Sequence, residues 1–224
     1  MFKVRMNRGA VHIAFHYVPE RIEILEKTIG YLRTWEVSCV DIFVHSNIED
    51  PGVFMDVTWV LHHDLEHPFA LTWLPVETIK TQLDQYDFFG YLEDDVGIPK
   101  AAFGIWKRYP SPQLGFIRKN IITGEYDDIV SAGLSIHTAF VETSSPEFVG
   151  FSADGFLYKA FWLNTNHQMR EYLTLFESHV MTDIRRNFMW SRERAAIGNT
   201  VWFKSVFLRN ELENSIVWHL SPPK

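Results

Sequence analysis

Cys39 is the only cysteine in this 224-residue chain, so no intrachain disulfide can form and no Cys-x-x-Cys pair exists for a structural zinc. A reducing compartment is the expectation. No apolar run approaches the roughly 18 residues that read as a membrane span, and the basic stretch from Met1 to Arg8 has no hydrophobic segment behind it. These absences predict a cytoplasmic chain with no membrane span. Basic side chains are also short in number, 21 Lys and Arg against 28 Asp and Glu, for a net charge of −7. Such a chain is repelled by a phosphate backbone, so no nucleic-acid partner is expected. Three motifs are missing as well. Without Gly-x-Gly-x-x-Gly after the first strand, without Gly-x4-Gly-Lys-[Ser/Thr], and without Gly-x-Ser-x-Gly, a dinucleotide site, a P-loop and an α/β-hydrolase elbow all drop out.

What the chain does have is core material: 46% hydrophobic residues, including 18 Phe and 8 Trp. A chain of this length buries roughly 70% of its unfolded surface. No repeat or linker divides it, which predicts one domain over residues 1–224. Val11 to His16 and Val40 to His45 read as buried strands. Between them, Ile22, Leu25, Ile29 and Leu32 recur at helical spacing within Arg21 to Trp35, with Pro19 in the entry turn. Strand, helix and strand make a parallel βαβ unit. Val57 to Leu61 and Phe88 to Leu92 read as further strands, and Thr72 to Gln85 as a helix. The fold class expected is α/β, an open and mostly parallel sheet with helices on both faces. The second half is less regular. Helices are predicted over Ala101 to Tyr109 and Asn166 to Phe176. Strands are predicted over Leu114 to Ile117, Ser135 to Val141, Phe156 to Leu163 and Ser215 to His219, in a mixed or antiparallel arrangement.

Ligands of open parallel sheets gather beyond the carboxyl ends of the strands. There the apolar strand ending at Leu92 runs straight into Glu93, Asp94 and Asp95. Three consecutive carboxylates repel one another, and a hard cation would neutralise them. The alternative is a solvated acidic turn closed by Gly97 and Pro99.

In this setting the sequence resembles the GT-A-type glycosyltransferases, whose signature is a DxD or EDD motif at the end of a central strand. The resemblance is carried by Ala14 to Tyr17, Phe43 to Asn47, His67 to Trp73, Tyr91 to Asp95, Glu193 to Gly198 and Val217 to Leu220. It spans nearly the whole chain through the order and spacing of short motifs. It implies a nucleotide-diphosphate-sugar donor held through Mn²⁺ or Mg²⁺ and a carbohydrate or glycoconjugate acceptor. Residues about 1–100 would form the donor half and about 101–224 the acceptor half. By the same resemblance Asp95 ligates the metal, joined by His219, while Glu93 and Asp94 meet the donor. His16, Tyr17, Arg21 and Asn47 would hold base, ribose or phosphate, with Arg118 and Arg194 as further diphosphate contacts. Glu193, and after it Asp154, are the candidate acceptor bases.

Plainer readings stand beside these. Arg21 can pair with Glu20 or Glu23 on its own helix, Asn47 can be a turn residue, and Trp162, Trp190 and Trp202 can be core rather than sugar platforms. His62, His63 and His67 read as a loop near the donor, since their spacing matches no zinc motif. If they join the acidic triplet in binding metal, a metal-dependent hydrolase or nucleotidyltransferase is the alternative. A non-catalytic carbohydrate-binding module is the remaining alternative.

Overall fold

A computed structural model describes residues 7–65, 68–72, 74–110, 114–127, 139–151, 161–176 and 206–222. The chain is α/β. Its central sheet has five strands in the order β3-β2-β1-β4-β9, formed by Arg8–Phe15 (β1), Cys39–Ser46 (β2), Thr58–Leu61 (β3), Phe88–Glu93 (β4) and Phe161–Thr165 (β9). The first four run parallel, and β9 closes the β4 edge antiparallel.

Strand β1 is buried on both faces, and the two-residue period of a strand divides its side chains between two cores. Val11, Ile13 and Phe15 pack with α1 (Ile22–Arg33) and α3 (Lys100–Arg108) through Leu25, Ile29, Phe103 and Trp106. Ala10 and Ala14 face α2 (Pro75–Lys80) and α4 (Asn166–Phe176) through Val76, Ile79, Met169 and Leu173. Helices therefore cover both faces, as the β/α alternation predicts. Among the described residues no helix is long and apolar enough to cross a membrane.

Two smaller sheets flank the centre. Val96–Gly97 (β5) and Ile117–Asn120 (β6) sandwich Ile216–His219 (β11), antiparallel on the β5 side and parallel on the β6 side. The other sheet orders Val206–Leu208 (β10), Phe148–Phe151 (β8) and Phe140–Glu142 (β7), all antiparallel.

Several boundaries differ from expectation for identifiable reasons. The helix expected over Thr72 to Gln85 is only Pro75–Lys80, with proline in its first turn. Beyond it the Thr81 hydroxyl bonds back to the Thr78 carbonyl at 2.8 Å, and Thr81 and Gln82 make three-residue turns. Strand β6 begins at Ile117 rather than ending there, because its register is set by β11, while Leu114 and Phe116 are spent on the core. The segments 128–138 and 152–160, which carry parts of two predicted strands, lie outside the described residues.

On the α2 face, three histidines join β1, β2 and the end of β3. His12 Nδ1 lies 2.9 Å from His45 Nε2, and His45 Nδ1 lies 2.8 Å from His62 Nε2. Burial lowers His12 to about 3. Burial also lowers His45 to about 2, with the neighbouring imidazoles adding to it. Both rings stay neutral in the fold but take up protons when unfolded. The stability they contribute is complete above the unfolded value of about 6.5 and is lost as pH falls below it. Urea unfolding at pH 7.5 and 5.5 should show the two rings costing about 3 kcal/mol of stability at the lower pH. In His12→Leu the pH-dependent loss should shrink by about half, whatever the variant does to stability at pH 7.5.

Candidate active site

The sequence leaves β1 for α1 and β2 on one side of the sheet, while β4 lies on the other, so the carboxyl ends of β1 and β4 border a topological switch point. Ala14 of β1 is in register with Glu93, the last residue of β4, and β1 ends one residue later at Phe15. After β1, Val18 is extended, Pro19–Arg21 forms one turn of 3-10 helix, and α1 follows. That turn carries Arg21 from the end of β1 to the acids at the end of β4. Its Nε and Nη2 donate to the two oxygens of Asp94 at 2.6 Å each, and Nη2 also reaches Asp95 Oδ2 at 3.0 Å. The pairing with Glu20 or Glu23 does not form; the forked guanidinium matches a carboxylate, and the acids it meets are 73 and 74 residues away.

Asp94 and Asp95 are only 6% and 8% exposed, so the acidic triplet is not a solvated turn. Its backbone is fastened from two sides. Thr28 of α1 donates its hydroxyl to the Asp94 carbonyl at 2.7 Å, and the Leu220 amide donates to the Asp95 carbonyl at 2.8 Å. Gly97 lets α1 come close, since a Cβ there would sit 2.6 Å from the Tyr31 ring.

The second fastening brings the C-terminal histidine to the acids. Because β5 follows Asp95 directly and pairs with β11, His219 stands opposite Val96. His219 Nε2 lies 3.5 Å from Asp95 Oδ2, and Ser221 Oγ donates to the same oxygen at 2.8 Å. Ser221 Oγ is also 2.7 Å from His219 Nε2. On the far side of the ring, Nδ1 lies 2.7 Å from Asp127 Oδ2, and Arg118 Nε is 3.3 Å from that same oxygen. Asn120, level with His219 in the sheet, donates to the Ser221 carbonyl at 3.2 Å.

Opposite forces set the charges. Burial pushes the Asp94 carboxyl up to about 6 against the pull of Arg21, and the charges of Asp95 and Glu93 push the same way as burial. Burial acts on Asp95 too, but hydrogen bonds from His219 and Ser221 and the charge of Arg21 outweigh it and hold Asp95 well below the usual carboxylate range. The hydrogen bond and charge of Asp95 raise His219 above its ordinary value despite partial burial. Three carboxylates, Asp94, Asp95 and Asp127, are thus matched by Arg21, His219 and Arg118.

Of the other predicted residues, His16 and Tyr17 stand half-buried at the end of β1. Tyr17 packs edge-on against Phe15, and its amide donates to Asn47 Oδ1 at 2.9 Å, which ties the loops after β1 and β2 together. Arg118 faces Asp127. Trp162 is buried and stacked on Tyr91, a core residue rather than a sugar platform. Asp154, Glu193 and Arg194, like Trp190, Trp202 and His67, lie outside the described residues. His62 is engaged with His45, and among the described residues no group of three or more His, Cys, Asp or Glu gathers as a metal site. Asp127 and Asn120 had no sequence signal. Ser221 stands two residues beyond His219, which was the one available hint.

No protein-family model matches the sequence, and no curated protein does. Among solved structures, one of 4-diphosphocytidyl-2C-methyl-D-erythritol synthase superposes with a TM-score of 0.46 at 12% identity, over 81% of this chain and 83% of that one.

Removing the Arg21 guanidinium would leave two adjacent buried carboxylates with their main neutralising partner gone. Arg21→Met should lose about 3 kcal/mol in urea unfolding at pH 7.5. Arg21→Lys should recover only part of this, because an ammonium cannot make both bonds to Asp94. Equal stability of Arg21→Met and the parent chain would contradict the pairing.

Proposed function

We propose that this chain is a glycosyltransferase that moves a sugar from a nucleotide-diphosphate donor to a hydroxyl of a carbohydrate or glycoconjugate. The observation that carries this reading is the meeting of Asp95 and His219. They come from the middle and the C-terminal end of the chain and lie 3.5 Å apart at the carboxyl end of β4. A carboxylate and an imidazole at the carboxyl pole of a parallel sheet suit a donor whose diphosphate is held through a divalent cation.

The residues fit such a cation. Among the described residues the bonds to Asp95 all end on Oδ2, which leaves Oδ1 as a donor atom. His219 Nε2, 3.5 Å from Oδ2 and 2.7 Å from Ser221 Oγ, would exchange its proton for the cation. Two protein ligands suffice where substrate phosphates and water complete the coordination, as is usual for Mg²⁺. The imidazole tilts the preference towards Mn²⁺. Bound there, the cation would act as a Lewis acid on the diphosphate.

The chain's own groups do the rest. Arg21 holds Asp94 and Asp95 in place and offers a guanidinium at the carboxyl ends of β1 and β4, where a diphosphate can compete for its donors. Tyr17, fixed by Asn47, presents a ring where the base of the donor would stack, with His16 beside it. Glu93 and Asp94 would meet ribose or sugar, and Arg118 a phosphate. Glu193 and Asp154 are the candidates for taking the acceptor proton, and Arg194 for a further phosphate contact.

Calorimetry with a panel of nucleotide sugars tests this. Binding should require Mn²⁺ or Mg²⁺, and Asp95→Ala should weaken it at least tenfold. Turnover with an acceptor should release nucleoside diphosphate. Binding that ignores both metal and mutation would refute the proposal, and release of pyrophosphate would favour nucleotidyl transfer instead.

A further inference from the structure

We infer that Asp127 is a positioning residue for His219: it fixes the ring so that Nε2, and not Nδ1, faces Asp95. The inference rests on the proposed role of Asp95 and His219 as ligands of a divalent cation. The carboxylate of Asp127 only accepts hydrogen bonds, so the 2.7 Å contact places a proton on His219 Nδ1. The opposite nitrogen is then the one turned towards Asp95, at 3.5 Å. An imidazole whose far N–H is held by a carboxylate has its rotation set, which is what a metal-ligating histidine needs. Nε2, a donor to Ser221 Oγ in this structure, would release its proton to a cation.

The fold builds this contact deliberately. Arg118 and Asn120 of β6 run level with Val217 and His219 of β11. The chain turns through Gly124 in a left-handed conformation, and Tyr126 bridges back to Lys119, which sets Asp127 beside His219. Arg118 Nε, 3.3 Å away, steadies the carboxylate, and both side chains are at least four-fifths shielded from solvent.

Ser221, His219 and Asp127 have the connectivity of a hydrolytic triad, with 2.7 Å at each step. The serine does not fit that role. Its one proton goes to Asp95 Oδ2 at 2.8 Å, so it is not the nucleophile of a His219 base, and at 6% exposure it is out of reach of a substrate. The arrangement serves the histidine. Asn at position 127 could turn its amide N–H towards Nδ1, lose the hydrogen bond from the ring's Nδ1–H and free the imidazole to rotate away from Asp95.

The test is titration of the full chain with Mn²⁺ alone, without donor, reading free Mn²⁺ by electron paramagnetic resonance. Asp127→Asn should weaken binding 10- to 100-fold, Asp127→Glu should restore most of it, and the urea midpoints should move little. In a His219→Ala background Asp127→Asn should cost nothing further. An affinity unchanged in Asp127→Asn overturns the inference, as does a loss that persists in the His219→Ala background. If Asp127→Asn fails to fold, the Glu variant decides: retained affinity supports the carboxylate role and a large loss refutes it. Failure of the underlying reading looks different. A parent chain that binds no Mn²⁺ removes the metal assignment and this inference together, whereas equal binding by the parent and His219→Ala removes the histidine ligand and this inference but leaves Asp95 as a ligand.

Discussion

Adjacent carboxylates in a largely buried place are tolerable only if positive charge comes to them, and at Asp94 and Asp95 that charge comes from Arg21. The need shapes the neighbourhood. Arg21 must reach from the end of β1 to the end of β4, so the 3-10 turn at Pro19–Arg21 precedes α1 instead of the helix starting at once. The guanidinium is planar and its fork is filled by Asp94 at two 2.6 Å bonds, which leaves a single longer contact of 3.0 Å for Asp95. Asp95 therefore draws its remaining stabilisation from His219 and Ser221, and His219 in turn leans on Asp127. The ion pairs are consecutive consequences of one electrostatic demand, and partly buried pairs of this kind are much less screened by salt than surface ones.

Backbone pairing and apolar packing likewise tie the second part of the chain to the first. Strand β9 finishes the edge of the central sheet against β4, and β11 is the middle strand of the sheet that carries His219. Phe161 and Val217 sit in the same core as Val11 and Leu25. Donor and acceptor functions, in the proposed reading, share one hydrophobic foundation.

The first hundred residues were the more legible. Short continuous apolar runs and a clean helical period give β1, α1, β2 and β4 nearly at their boundaries, because the strands are largely buried on both faces and α1 buries the stripe its period marks. The acidic triplet was visible for the same reason: an apolar strand that stops at three carboxylates is an unusual local conflict. Partners were less visible. Arg21 has two acids within two residues on its own helix, and nothing local says that it prefers Asp94. Asp127 and Asn120 gain meaning only from the parallel pairing of β6 with β11, a contact across about a hundred residues that leaves no periodic trace. Strand β5 is two residues long, below what any pattern can signal, yet it sets the register that brings His219 to Asp95. The three-histidine chain was hidden likewise, since His12, His45 and His62 lie on three different strands or their ends.

Asp95 and Ser221 are 126 positions apart, so the loop that must close before they touch is among the longest the fold contains. Closing a span of that length costs more chain entropy than closing the contacts of β1 with β2, although the cost grows only with the logarithm of the span. The central strands can assemble first and hold the two acids on Arg21 alone. The histidine side then docks onto an existing platform, and in native-state hydrogen exchange the amides of β11 would open before those of β1.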